Sequence, residues 1–458
     1  MKKEGTAVKA RWKLLTTAAV LALSTALAGC GGSNGQDAAP SASGNGQQQT
    51  KAQDTNDKNF TIRVGAWFLD DRPHMQVFKK AVEEKYKTLY PNAQIQWDVV
   101  LGSTYFDKLR AQFASDSAPD VVFYQGQEFA KSGNLEDLSD EPWVSRLTDG
   151  AKMDVQSHYN GNTYALPMGM AIGGGVWYNK KIFADLDLQP PKTIDDWMQV
   201  NEKVKAAGKV PVTLGFKDSW TASMFLSQWF VSMGFSTDPQ YGMKVYNGEI
   251  KLADDPAIRN VMETFEKMKK QEHFNKNALS IDWPQSGQMF ASGDAAMIMQ
   301  GAWMPGTNAD NIQKGGFEPF DIGFFPLMDD KGNVSIQLSS NEAVGVNAKS
   351  KLKKEAKDLV NLITNQEIIA PFNKGEGSLA VLSDVTVQYD YPVLDELVDL
   401  VNKSNVIPYR LQNFIPASAH TSLVEAVTKV VSGVKFDPKD LEAAQDNFEK
   451  DKATVILP

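Results

Sequence analysis

After residue 59, apolar positions divide the chain into short strands and amphipathic helices. Phe60 to Trp67 reads as a strand, and Met75 to Tyr90 carries Val77, Phe78, Ala81, Val82 and Tyr86 at helical spacing. Ala93 to Val100 alternates as a strand, and Thr104 to Ala114 repeats the helical pattern through Phe106, Leu109 and Phe113. Ala118-Pro119-Asp120 then turns the chain into a buried strand ending at Tyr124. This β-α-β-α order predicts a parallel sheet with crossover helices. Further extended pieces are expected at 163–170, 176–179, 295–300, 320–325 and 335–346. Helices are expected at 193–207, 222–233, 256–270, 286–291, 353–364, 391–401, 418–431 and 437–450. Thr193, followed by Asp195 and Asp196 and closed by Gly208, carries the cap signals of its helix. The triplet Gly173-Gly174-Gly175 precedes no helix start and reads as a hinge or a close backbone approach.

The first thirty residues follow a different pattern. Lys2, Lys3, Lys9, Arg11 and Lys13 precede an apolar run from Leu14 to Ala28, too short to span a bilayer comfortably. The run ends at Leu27-Ala28-Gly29-Cys30, which makes residues 1–29 a secretory signal peptide resembling those of lipoproteins, with Cys30 as the lipid-bearing mature N-terminus. An ordinary signal peptide and an uncleaved anchor are the alternatives. Residues 30–58, after Cys30, are Gly, Ser, Asn, Gln, Asp, Ala and Thr-rich with no aromatic or β-branched aliphatic residue. Such a segment cannot order itself and is expected to be a tether with a mean reach of about 30 Å.

Composition narrows the chemistry. The chain has 458 residues, 42% hydrophobic, and a net charge of −9, so an acidic surface speaks against a nucleic-acid partner. The single cysteine excludes an internal disulfide and any cysteine-cluster metal site. His74, His158, His273 and His420 fall at no metal-ligand spacing, and no zinc-protease, serine-hydrolase or P-loop motif occurs. Asp329-Asp330-Lys331-Gly332-Asn333 is expected to be a turn between strands, since it lacks the distal Glu of a calcium loop. No cofactor and no catalytic residue is expected.

Four ordered pieces resemble the family 1 extracellular solute-binding proteins, which feed ABC importers. They are Tyr105-Phe106-Asp107-Lys108-Leu109 through Pro119-Asp120-Val121-Val122; Tyr164-Ala165-Leu166-Pro167 through Trp177-Tyr178-Asn179 to Ile194-Asp195-Asp196-Trp197; Met289-Phe290-Ala291-Ser292-Gly293-Asp294 through Gly301-Ala302-Trp303; and Gly345-Val346-Asn347-Ala348-Lys349-Ser350. The resemblance implies an α/β, two-lobed periplasmic-binding-protein-like (type II) fold with a hinge between lobes. Lobe 1 would hold 59–167 and 343–402, and lobe 2 would hold 168–342 and 403–458. It also implies a monomer that captures a carbohydrate, an oligosaccharide above all, and delivers it to the permease subunits of an importer. With the lipid on Cys30, the protein would sit at the outer face of the membrane of a Gram-positive cell. A binding subunit that reports to a membrane receptor is the alternative. A surface glycan-active enzyme is opposed by the missing catalytic constellation.

Sugars need aromatic platforms and a few fixed polar groups. Trp67 and Tyr124 end strands, where open α/β sheets face their ligand crevice. Trp220 and Trp283 stand in polar loops before helices, and Trp303 follows Gly301-Ala302. Tyr124, Trp303 and, roughly, Trp220 match aromatic ligand positions of the family's maltose-binding member. The expected polar partners are Asp70, Gln125, Asn341, Glu342 and Arg410, with Asn413 close to the last. His420 replaces a stacking Trp of that member, and Met168-Gly169-Met170 replaces an acidic residue, so maltose itself is not the expected ligand. Trp97, Trp197 and Trp229 are expected in cores, Trp177 in core or site, and Trp143 on a lobe surface.

Overall fold

The computed structural model describes residues 58–125, 128–156, 161–340, 342–455 and 457. The expected signal peptide with Cys30, nearly all of the expected tether, and Asn341 lie outside them. Two layered α/β bodies are built from three sheets. The first sheet runs β2-β1-β3-β11-β4, from β1 (Phe60–Ala66), β2 (Ala93–Val99), β3 (Val121–Tyr124), β4 (Leu166–Pro167) and β11 (Ala343–Val346). Its β1, β2 and β3 are parallel, as the β-α-β-α pattern requires, and β11 is antiparallel to both neighbours. Alternate residues of β3 point to opposite faces. Val121 and Phe123 join a core with Phe78, Val82, Leu359 and Ile369, while Val122 and Tyr124 meet Tyr105 and Leu109.

The second sheet runs β7-β8-β6-β9, from β6 (Gly175–Asn179), β7 (Val210–Thr213), β8 (Ala295–Gln300) and β9 (Ile322–Phe325). Val176, Met297 and Met299 face a core with Trp197, Phe225, Trp229 and the helix Ala417–Ser432. Trp177 and Ile298 face the other way, onto Phe290 and the helix Pro392–Lys403. Trp197 and Trp229 are buried as expected, with ring centroids 5.8 Å apart. Trp177 is also buried, and its Nε1 donates to the Gln300 carbonyl.

The two bodies are joined by a small third sheet, β12-β10-β5, from β5 (Met170–Ile172), β10 (Ser335–Ser340) and β12 (Asn405–Ile407). β5 leads from β4 to β6 and β10 leads from β9 to β11, so both run between the main sheets. They pair antiparallel through Leu338–Ile172 and Ser340–Met170. A Cβ on Gly173 would lie 1.8 Å from Gln337 Oε1 and 2.0 Å from Gln228 Nε2. The glycine triplet is therefore a close backbone approach beside this junction.

Several expectations change. The helix Met304–Gly315 is not among the expected ones; its Pro305 stands in the first turn, where Pro is favourable, and Gly316 (φ 62°) caps the end. The helix Gln366–Glu376, also not among them, runs through Pro371, a residue that disfavours a helix interior. Trp143 is not on the surface: the turn Pro142–Arg146 drives it into the first core, where it is 1% exposed. Val77, expected on a buried face, is 55% exposed, and the buried stripe of Pro73–Leu89 is Met75, Phe78, Val82 and Tyr86. Trp97 is half-buried on the edge strand β2, where its Nε1 donates to Glu83. Asp329–Asn333 is a turn, as expected, with the Asp329 carboxylate accepting from the Lys331 and Asn333 amides.

Thr193 makes a reciprocal capping box with Asp196. Thr193→Ala is expected to cost about 1 kcal/mol. Trp229→Ala, which empties a core site and orphans the Met328 carbonyl, is expected to cost about 3–5 kcal/mol. Urea unfolding of the two variants should rank them in that order.

Candidate functional site

Three of the expected aromatics converge. Trp220 lies in the first turn of the helix Ser219–Phe230, Trp283 opens the helix Trp283–Ala291, and Trp303 precedes Met304–Gly315. The Trp220 ring is 6.2 Å from both Trp283 and Trp303, tilted 67° to the first and 57° to the second. All three are half-buried. Parallel β7 and β8 both deliver the chain to this edge at their carboxyl ends. The local sequence holds the rings in place. Asp218 accepts the Trp283 amide at 2.9 Å, Asp282 caps its helix, and the Trp303 ring covers Gly301, where a Cβ would meet it at 2.3 Å.

On the first sheet, Trp67 is half-buried just past β1, against Phe68, Tyr105 and Phe106. Tyr124 ends β3, but its ring is 3% exposed against Phe129, so it is packed rather than open. Gln125, the next residue, is exposed. Asp70 does not stand free: Arg72 Nε reaches its two carboxylate oxygens at 2.9 and 3.0 Å. Arg72 Nη1 reaches Glu376 Oε1 at 2.7 Å, and His74 Nε2 reaches the same oxygen at 2.6 Å. Glu342, buried between β10 and β11, completes the group. Burial and the Glu376 charge push its carboxyl up from 4.5 to about 8, against the pull of Arg72. Burial opposes the charge of Glu376 too, but Arg72 and His74 hold its carboxyl below the usual range.

This ionic group adjoins the tryptophan edge through backbone. Gly377 (φ 63°) lies so close to Ala302 that a Cβ would be 2.2 Å from its carbonyl oxygen. A residue bearing a side chain fits neither the backbone angle nor the space there. The acid–base pairs of the first body thus stand one residue from the segment that carries Trp303.

A second polar chain runs along the junction. Gln228 Nε2 donates to Gln337 (2.7 Å), Gln337 Nε2 to Ser339 Oγ (2.5 Å), and Arg410 Nη2 to the same hydroxyl (3.1 Å). Ser340 donates its amide and hydroxyl to Asp154, whose carboxyl is pushed up by burial. Burial likewise lowers the Arg410 pKa, opposed by Asp154. Asn413 accepts the Arg410 amide at 2.7 Å. His420 Nε2 lies 2.7 Å from Ser223 Oγ and 3.0 Å from Gln412 Nε2. Both neighbours carry hydrogens, which assigns Nε2 as acceptor and the proton to Nδ1. Burial, with the nearby Arg410 charge, lowers the imidazole to about 4, so the ring is neutral at pH 7. His420 Nδ1 and Gln412 Oε1 are both buried without a partner.

Arg72, His74, Glu376, Asp154, Gln228 and Gln412 were not anticipated. Arg72 and Glu376 are 304 residues apart in sequence, and no local signal links them. Among the described residues no group of His, Cys, Asp or Glu is arranged to hold a metal ion, and no helix is long and apolar enough to cross a membrane.

The profile of the family described as bacterial extracellular solute-binding protein matches residues 71–370. An uncharacterized ABC transporter extracellular-binding protein of Pyrococcus horikoshii is 26% identical over 355 residues, covering 75% of this chain and 76% of that one. The multiple sugar-binding protein of Streptococcus mutans is 21% identical over 363 residues, covering 75% and 80%. Among solved structures, SBP RafE in complex with raffinose superposes with a TM-score of 0.70 at 21% identity, covering 86% of this chain and 100% of that one. The fold is the two-lobed α/β fold of that structure.

The Glu342 carboxyl gives a pH signature of defined sign. Its pKa is higher folded than unfolded, so its contribution to stability is complete below pH 4.5 and is lost as the pH rises to about 8. Thermal melts between pH 5 and 8 should show that Glu342→Gln loses less melting temperature across this window than the wild type.

Proposed function

This chain belongs to the bacterial extracellular solute-binding protein family, and we propose that it captures an oligosaccharide and delivers it to an ABC importer. The observation that carries this reading is the convergence of Trp220, Trp283 and Trp303 at the carboxyl edge of β7 and β8. Three rings tilted against one another offer several apolar faces, more than one pyranose uses, so the ligand has more than one ring. The relatives named as sugar-binding and the raffinose complex support the same class.

In this reading Trp67 faces the tryptophans from the first lobe, and Asp70, Gln125, Asn341, Glu342 and Arg410 supply polar contacts. Tyr124 contributes only if its ring leaves the core on opening. At pH 7 the Glu342 carboxyl is mostly protonated, so it donates a hydrogen bond to a sugar oxygen without bringing a second negative charge beside Glu376. The lobes are drawn as 59–167 with 343–402 and 168–342 with 403–458. Packing of Pro392–Lys403 on Trp177 and Ile298 supports moving the last boundary to just before that helix. The chain works by binding and not by catalysis, as a monomer held to the outer membrane face by lipid on Cys30.

Isothermal titration with raffinose-type and chitin-type oligosaccharides tests the site. Trp303→Ala is expected to weaken binding about tenfold or more, and wild-type affinity in that variant would contradict the placement. Gly301→Ala should weaken binding similarly, because the added methyl displaces the Trp303 ring. In the full chain, Cys30→Ser should move the protein from the membrane fraction to the medium.

A further inference from the structure

Along the helix Met304–Gly315 lies a pocket of about 660 Å³ that the cleft reading does not use. Strand register sets the two apart. β8 ends at Gln300, opposite Gly175, and leads to Trp303, whereas the pocket borders Lys180 and Ile322, at the other end of β6 where Asn179 pairs with Ile322. Asn308 and Ile312 form one wall, and Phe317, Phe320 and Tyr391 form the others, with exposed Asp321 at the rim. The rings are held by their surroundings. Gly316 turns the chain in the left-handed region, the Phe317 ring folds back over Gly315 with 2.2 Å left for a Cβ, and Phe320 packs edge-on against Phe290 at 5.6 Å. Asn308 is 3% exposed, and its Oδ1 has no hydrogen-bond partner.

We propose that this pocket is a second carbohydrate site, holding one or two pyranose units outside the cleft. Its volume is that of a small-molecule site, between about 300 and 1,000 Å³. Aromatic walls take the C–H face of a sugar ring, and the buried, unpaired Asn308 oxygen is an acceptor for a hydroxyl. An acyl chain or other fully apolar occupant leaves that buried acceptor unpaired, a cost a hydroxylated ligand does not bear. With two or three aromatic contacts and one buried acceptor, the site binds weakly, with a dissociation constant on the order of millimolar. The inference rests on the pocket alone and stands whatever occupies the cleft.

The test uses full-length protein with labelled isoleucine methyls and the cleft disabled by Trp220→Ala and Trp303→Ala. Raffinose, galactose and N-acetylglucosamine are titrated while the Ile312 methyl resonance is followed. A saturable shift of Ile312 with at least one sugar is expected. It should weaken about tenfold or more on Tyr391→Ala, or on Phe317→Ala should the first variant melt early, and weaken on Asn308→Ala. No shift of Ile312 with any of the sugars, or a shift that survives all three pocket substitutions, overturns the proposal. In the protein with an intact cleft, loss of binding on Trp303→Ala reports on the cleft reading separately.

Discussion

The antiparallel pairing of β5 with β10 is the contact on which the molecule depends. These strands are short, and each carries the chain between the two main sheets. Everything that faces the cleft is placed relative to them. Glu342 follows β10 by two residues, Gly173 and Gly174 follow β5, and Arg410 reaches Ser339 of β10 from the carboxyl-terminal segment. The pairing brings only a few backbone hydrogen bonds, so its rigidity comes from buried side chains. Gln228 and Gln337 meet in space that only a glycine at 173 leaves open. An unpaired amide there would be costly, which keeps the pair together.

Charge is distributed unevenly about this junction. The first body brings half-buried Asp70, Arg72 and His74 together with buried Glu342 and Glu376 into one ionic group, while the second brings aromatic rings. In the proposed reading, a sugar that bridges the two would meet ionic groups on one side and tryptophan faces on the other. Those answer to the two chemical characters of a pyranose. Closure about the junction strands would bring the halves together, a hinge motion of the kind two-lobed binding folds use.

How much of this was legible in the sequence depends on whether the signal was local. Thr193 and Asp196 lie three residues apart, and their capping box could be read directly. The parallel sheet followed from the alternation of strand and helix patterns between residues 60 and 124. Trp220, Trp283 and Trp303 were legible because each opens a helix after polar or glycine-rich residues. Tyr124 ends a strand in the same way, yet Phe129 folds over its ring, which no pattern within the strand announces. Trp143 was misread for a related reason: a short turn gives no periodicity, and its burial is decided by the helices that cover it. The Arg72–Glu376 contact lay beyond reach because two oppositely charged residues so far apart have many equivalent partners in a chain with 47 basic and 56 acidic residues.

Gly377 has a consequence for the path between open and closed forms. It sits in a left-handed backbone conformation against the Ala302 carbonyl, with no side chain to interpose. The first body therefore touches the tryptophan-bearing segment main chain to main chain at this point. A contact of this kind has no side chain that must be displaced when the parts turn. Together with the β5–β10 ribbon it defines two points, and two points define an axis. A turn about that axis would carry the tryptophan edge toward the opposite wall, as hinge closure does in two-lobed folds.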